Sequence, residues 1–266
     1  MSKIAKIVTV TTQKGGAGKT TLALLLATGE ALRGERVLLV DLDQQGDASY
    51  SLVSDYDPSK TSYELLTSES VQVPAVATPV SGYLNLDLVP ASLTLERVEV
   101  ELAGVLDAQF ILSDKLEAVK DDYDLIVIDT PPSLNVIVSN ALTAADKLII
   151  PVQADIYSFK GMATLAQRVK AIQRRSNPRL SICGIVLNRY NPRTNLSKAI
   201  TEALNEVAEQ FNTKVYRSTL RDATAVREAQ NAKQSLFEYA AKGAKVTEDA
   251  KDRTGGRNGR GKATGG

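Results

Sequence analysis

The sequence contains no histidine and a single cysteine, Cys183. Without an imidazole, histidine-based general acid–base catalysis and histidine metal ligation are excluded. One cysteine can neither close a disulfide within the chain nor hold a cysteine-ligated cluster, and it fits a reducing compartment. Cys183 falls in an apolar run and reads as a core residue. Long hydrophobic runs are missing too. Nothing approaches the roughly 18–20 apolar residues that span a bilayer, and MSKIAKIVTV is too short for a signal peptide. A cytoplasmic protein with no membrane partner is expected. Neither sign of charge dominates, with 32 Lys and Arg against 31 Asp and Glu and a net charge of +1. Any contact with nucleic acid must therefore come from a local basic patch.

What is present is ordinary for a soluble globular chain: 43% hydrophobic and 24% charged over 266 residues. Short β-branched runs alternate with helical patterns, which points to an α/β fold, a doubly wound and mostly parallel sheet with helices on both faces. Strands are expected at Ile4–Val10, Arg36–Val40, Asp124–Asp129, Lys147–Val152 and Ser181–Leu187. LIVI and LIIPV lack in–out alternation, the mark of strands covered on both faces. Helices are expected at Lys19–Arg33, closed by Gly34, at Ser158–Arg174 and at Thr194–Phe211. Ser51–Asp122 is less regular, with helices around Ser62–Leu66 and Leu93–Val119 and a strand near Leu84–Val89. One domain over 1–246 is expected, followed by a disordered tail over 247–266. The tail's KDRTGGRNGRGKATGG has no large apolar residue to offset its ordering entropy; it is either a native basic tail or an expression remnant.

Three stretches fit one chemistry. In TVTTQKGGAGKTT, Gly15, Gly16 and Gly18 follow a strand and precede a helix. Backbone N–H groups there can close on phosphate oxygens at the helix N-terminus. Lys19 would reach the β- and γ-phosphates and the Thr20 hydroxyl would ligate Mg2+. The usual first glycine of such a loop is replaced by Gln13, and Lys14 is extra. In VLLVDLDQQGD, Asp41 and Asp43 end a strand where open α/β sheets bind ligands. If the strand pattern persists they point the same way; alternatively one of them caps the following helix. In YDLIVIDTPPSL, Asp129 ends a strand in the position of an acid that holds the magnesium shell, directly or through water. Asp43 is then the residue left to position the attacking water.

KGGAGKT at Lys14–Thr20, with VLLVDLDQQGDAS and DLIVIDTPPSL in that order, resembles the ParA/MinD group of deviant Walker A P-loop ATPases, and most closely the ParA-type partition proteins. The resemblance runs from about Lys3 to Val246. It implies that Lys14, Gly15, Gly16, Ala17, Gly18, Lys19, Thr20 and Thr21 bind ATP, with Mg2+ near Thr20, Asp43 and Asp129. It also implies an ATP-dependent sandwich homodimer in which Lys14 reaches the phosphates of the other subunit. Lys14, Lys19 and Asp43 would then be the catalytic set. Asn188 and Arg221, Asp222 and Ala223 would flank the adenine. Two departures stand out: Gln44 and Asp47 replace the usual proline and asparagine after Asp43, and Thr219–Gln230 matches the family securely only at Glu228 and Ala229.

Within that group, a membrane-bound division regulator would need an apolar face at the C-terminus, and an iron-protein reductase would need more cysteines. A partition ATPase needs non-specific DNA binding. RVKAIQRRSNPR (168–179) offers five basic residues and no acid, and Arg168, Arg175, Arg189, Arg193, Lys198, Arg217 and Arg221 are the DNA-contact set. NPRTN resembles the family loop in which an arginine contributes to DNA binding. Acids between Glu202 and Glu228 require the patch to be one-sided. The chain starts at the first strand, so the small type without an N-terminal operator-binding domain is expected, nucleoid-associated and stimulated by a ParB-like adaptor. The rivals are a positioning ATPase acting on protein partners without DNA, and an ATP-dependent metabolic ligase.

Overall fold

The structure is a computed structural model. It describes residues 4–153, 157–188 and 195–216 and, of 157–160 and 195–199, the helical backbone alone. In chain order the elements are β1 (Lys6–Val10), α1 (Lys19–Ala31), β2 (Val37–Asp41), α2 (Asp47–Leu52), α3 (Ser62–Thr67), α4 (Val73–Val76), β3 (Thr78–Pro79), β4 (Leu86–Val89), α5 (Val98–Glu101), α6 (Ile111–Glu117), β5 (Leu125–Asp129), α7 (Val136–Ala144), β6 (Lys147–Gln153), α8 (Tyr157–Arg175), β7 (Ser181–Asn188) and α9 (Asn195–Gln210). They build a seven-stranded sheet in the order β3-β4-β2-β5-β1-β6-β7. All pairings are parallel except the short antiparallel β3–β4 contact.

The apolar strands are covered on both faces, as their lack of alternation predicts. Ile126 and Ile128 join Leu38, Val40, Leu148 and Ile150 in a cluster under α6, α7 and α8. Val127 faces the other way, with Leu39 and Ile149, against Leu22, Ala23 and Leu25 of α1. Each such side chain, fully buried, contributes about 1.5–3 kcal/mol. The chain winds from β1 toward β2 on one side and reaches β6 and β7 on the other. The C-terminal ends of β1, β2 and β5 therefore share one edge at the switch in strand order, the place where open α/β sheets bind ligands.

The single helix expected over Leu93–Val119 is not formed. The segment breaks into short 3-10 and α turns, because Gly104 at φ 85 and Asp107 at φ 58 take left-handed conformations that no helix continues through. Three helices, α2, α4 and α7, have no counterpart in the sequence reading. α7 starts where Asn135 caps the backbone N–H groups of Ile137 and Val138, and α2 follows the turn at Gly46. Cys183 is half-buried with its Sγ 3.0 Å from the Tyr216 hydroxyl, at the rim of the second cluster rather than inside it. Residues 247–266 lie outside the described residues.

Lys115 fixes the loop after α3. Its buried ammonium donates to the carbonyls of Ser68, Glu69 and Val71 at 3.2, 2.6 and 2.6 Å, cancelling the partial negative charge of the helix C-terminus. Lys115→Met leaves those carbonyls without a donor and is expected to lower unfolding stability by about 1–3 kcal/mol. Denaturant titration checks this, with a lower midpoint at unchanged slope as the expected result.

Candidate nucleotide site

The loop between β1 and α1 is held in place by the strands beside it. Gly16 and Gly18 take φ of 69° and 93°, a left-handed backbone that side chains rarely allow. The Gln153 side chain, at the end of β6, donates to the Gly16 carbonyl at 2.6 Å. The Asn188 side chain, at the end of β7, donates to the Ala17 carbonyl at 2.9 Å. With these carbonyls turned back toward the sheet, the loop's N–H groups are left for an anion at the start of α1. A Cβ at Gly18 would sit 2.5 Å from Asn188 Nδ2, so only glycine fits. Lys19 opens α1 and is buried, its ammonium 3.5 Å from the Lys14 carbonyl. Gly15 is exposed, Ala17 buried, and Lys14, Thr20 and Thr21 half-buried.

The acids gather at the same edge. The parallel register sets Asp41 directly beside Asp129 on neighbouring strand ends, and both are fully buried. Their roles differ. Asp41 accepts from the Ser49 hydroxyl at 2.7 Å, the Ser49 amide at 2.9 Å and the Asp43 amide at 3.1 Å. It therefore anchors the first turn of α2 and shapes the turn before it. The strand ends at Asp41, so the alternation that would align Asp41 with Asp43 stops there. Of the two alternatives left open by the sequence, helix capping applies to Asp41. Asp43 is half-exposed, accepts from the Gln45 amide at 3.1 Å and lies within the field of Lys19.

Burial raises the Asp41 carboxyl to about 6, against the pull of its hydrogen bonds to Ser49 and to the Asp43 amide. Burial and then the neighbouring Asp41 push Asp129 well above the usual carboxylate range, opposed by the Thr20 hydroxyl and Lys19. Burial also lowers Lys19, with Asp129 and Asp43 acting to keep its proton. Asp129 Oδ1 accepts from the Thr130 amide at 3.0 Å, while Oδ2 is buried with no hydrogen-bond partner. Crowded, dehydrated acid beside one lysine calls for added positive charge. The Asp129 carboxyl interacts with the Thr20 hydroxyl, and its orphaned Oδ2 suits a hard, oxygen-ligated cation. Among the described residues no group of three or more Asp, Glu, Cys or His side chains gathers as a metal cage. A cation here would therefore draw most of its ligands from water and phosphate, as Mg2+ does.

The remaining expected residues divide. Asn188 is at the loop, and Gln153, which the sequence reading missed, has the same role; its position at a strand's C-terminal end is the signal that marks it. Arg168 is a correction. Its guanidinium is turned inward onto the Ser139 hydroxyl of α7 with Nε buried, so it does not belong to a solvent-facing patch. Lys170, Arg174, Arg175 and Arg179 are exposed. Arg175 ends α8 at the sheet edge opposite the phosphate loop, because α8 links the end of β6 to the start of β7. Arg189, Arg193, Arg217, Arg221, Asp222 and Ala223, and the side chain of Lys198, lie outside the described residues. The exposed positions of α9 include Glu202, Glu206 and Glu209.

A parallel sheet carrying a glycine loop, a buried loop lysine and strand-end acids at one edge defines a P-loop nucleotide-binding protein. An AAA-domain family profile matches residues 5–182. The chain is 37% identical to the sporulation initiation inhibitor protein Soj of Bacillus subtilis, covering 89% of this chain and 92% of that one. It is 38% identical to the chromosome partitioning protein ParA of Caulobacter vibrioides, covering 84% and 83%. The chain belongs to the Soj/ParA family of partition ATPases. Among solved structures it resembles cobyrinic acid a,c-diamide synthase of Mycobacterium smegmatis with bound ATP analogue and magnesium, at 28% identity and TM-score 0.73 over 91% of this chain and 98% of that one.

Gly18→Ala is expected to abolish nucleotide binding, because the methyl group collides with Asn188 and the φ is disallowed. Asn188→Ala removes the collision partner and the clamp together. In the double variant the clash disappears, but the left-handed strain of about 1–3 kcal/mol remains. Calorimetric titration with ATP checks this, with the Asn188→Ala single variant as the reference for the lost clamp: partial recovery in the double variant is expected, and no recovery, with the single variant still binding, would mean that backbone strain and not the collision decides the site.

Proposed function

We propose that this chain is an Mg-dependent partition ATPase that forms an ATP-bound homodimer, holds non-specific DNA in that state and releases it after hydrolysis stimulated by a ParB-like adaptor. The observation that carries the reading is the convergence of Lys19, Asp43 and Asp129 beneath a loop that also carries Lys14. Hydrolysis of the γ-phosphoryl group needs charge neutralisation and an oriented water, not covalent chemistry. The loop amides and Lys19 bind the phosphates. Asp43, half-exposed and close to Lys19, orients the water. Asp129 and the Thr20 hydroxyl are the residues that would hold Mg2+ and its water shell. The metal, when bound, supplies charge stabilisation at the β- and γ-oxygens. Asn188, with Arg221, Asp222 and Ala223, flanks the adenine. Lys14 acts in the partner's site, in the manner of an arginine finger, and such groups are worth about 10³-fold or more.

The DNA surface is built from Arg189, Arg193, Lys198, Arg217 and Arg221, with Arg175 as an outlying contact and Arg168 removed from the set. The acidic exposed positions of α9 restrict the surface to one side. The likeness to a cobyrinic acid amide-forming synthase supports a second reading, an ATP-dependent ligase; the identity to two partition proteins over most of their length weighs against it.

Three samples, with ATP, with ADP and without nucleotide, decide between these readings in a DNA-retention assay. Retention with ATP alone, weakening as salt rises, is expected; none in any sample at low salt would remove the partition reading. Arg193→Glu is expected to abolish retention while sedimentation still shows the ATP-dependent dimer. Lys14→Ala and Lys14→Gln are expected to reduce turnover by about 10³-fold. Turnover and dimerisation surviving in both would contradict the trans role.

A further inference from the structure

Ser49 lies in the first turn of α2 and is 1% exposed. It donates twice to the same oxygen, Asp41 Oδ2: its amide at 2.9 Å and its hydroxyl at 2.7 Å. The amide is one of the donors that every helix start leaves without an internal partner, and Asp41 satisfies it. The hydroxyl is not needed for that. It accepts in turn from the Ala91 amide at 2.8 Å, from a residue 42 positions further along the chain.

The other carboxylate oxygen gives the second bond its use. Asp41 Oδ1 accepts from the Asp43 amide at 3.1 Å, so the rotation of the carboxyl group decides whether Asp43 keeps its anchor. That rotation is soft, because the last torsion of an aspartate has broad minima. One amide on Oδ2 leaves the carboxyl free to rock, whereas an amide and a hydroxyl together hold it, provided the hydroxyl is itself fixed. The Ala91 amide fixes it by occupying Oγ as an acceptor, which leaves the proton for Asp41.

The far end of this strut is firm. The Tyr56 hydroxyl donates to the Ala91 carbonyl at 2.8 Å, and the Ser62 amide donates to the Pro90 carbonyl at 2.8 Å. At the near end, Asp43 belongs to a closed turn. The Gly46 amide bonds its carbonyl at 2.8 Å and the Gln45 amide bonds its Oδ1 at 3.1 Å. A carboxyl that rotates away therefore releases the whole turn, and the Asp43 side chain moves with it. Ser62 offers the contrast. Its hydroxyl, equally buried, also bonds Asp41 at 2.7 Å, but at the main-chain carbonyl, where it cannot control the carboxyl.

We infer that the Ser49 hydroxyl is a positioning group for ATP hydrolysis: clamped by the Ala91 amide, it fixes the rotation of the Asp41 carboxyl and through it the place of Asp43. The inference rests on the ATPase reading, in which Asp43 orients the attacking water.

The test compares Ser49→Ala, Ser62→Ala and Asp43→Ala with wild type, using the full chain with ATP and Mg2+. Steady-state kinetics, calorimetric titration with ATP and NMR hydrogen exchange of single amides are measured. Ser49→Ala is expected to lower kcat at least about tenfold with KM and ATP affinity unchanged, since Asp43 acts on the water and not on binding. Its Asp43 amide should exchange at least about tenfold faster, with the Gly16 and Lys19 amides as in wild type. Ser62→Ala loses a buried hydroxyl bond of the same kind; it should lower the thermal midpoint to a similar degree and leave kcat unchanged. Unchanged kcat in Ser49→Ala, an equal fall in Ser62→Ala, or unaltered exchange at the Asp43 amide overturns the inference. Weakened ATP binding in Ser49→Ala makes Ser49 a support of the phosphate loop and also overturns it. Should Ser49→Ala not fold, Ser49→Cys takes its place. The thiol is a weak donor of similar size, so a smaller fall in kcat at unchanged KM is expected, and no fall overturns the inference. Absence of turnover in wild type, or wild-type turnover in Asp43→Ala, counts against the ATPase reading of Asp43. The exchange rate of the Asp43 amide then still decides whether Ser49 holds it in place.

Discussion

Two fully buried carboxylates on neighbouring strand ends, Asp41 and Asp129, are the costliest feature of this structure, and the rest of the site is arranged around them. The parallel register of β2 on β5 forces them together. Neither is matched by a full ion pair: Asp41 is satisfied by the Ser49 hydroxyl and amide and the Asp43 amide, Asp129 only in part. Dehydrated acid of this kind is tolerated where it has chemistry to do. The division of labour follows. Asp41 spends its lone pairs on folding the turn that carries Asp43, and Asp129 keeps one buried oxygen without a hydrogen-bond partner, the oxygen that would face a cation on the proposed reading.

The phosphate loop depends on the same edge of the sheet. Its glycines permit an unusual backbone, but the conformation is fixed from outside by the Gln153 and Asn188 amides. These come from β6 and β7, on the side of β1 away from the acids. The site is therefore clamped between the two halves of the doubly wound sheet. A shift between those halves would be felt at the carbonyls of Gly16 and Ala17.

Most of this was legible in the sequence, for physical reasons that vary by element. β5 and β6 read correctly because strands buried on both faces show unbroken apolar runs. α1 read correctly because the glycine loop and lysine mark its start. The Leu93–Val119 region misled, since its helical periodicity is real over each turn and is broken only by the left-handed backbone at Gly104 and Asp107. α7 was missed because its cap, Asn135, follows a proline-rich loop that reads as irregular. Within the candidate site, Lys19, Thr20 and Asp129 were expected from the motif order, and the structure brings them to one edge of the sheet. Gln153 and Ser49 were not expected, since each acts through one long-range hydrogen bond that no local pattern records. Arg168 was misassigned because sequence shows its charge but not the direction of its side chain.

The central claim is a catalytic unit completed by a second subunit, and mixing two inactive variants tests it most directly. Lys14→Ala keeps its own Asp43 but supplies no lysine to its partner, whereas Asp43→Ala supplies Lys14 but cannot orient water. Each alone is expected to be inactive. An equimolar mixture in which subunits exchange freely contains heterodimers with one complete site, so turnover should recover to about a quarter of wild type. A mixture no more active than its components, although dimers form, would place Lys14 in its own subunit's site and contradict the account.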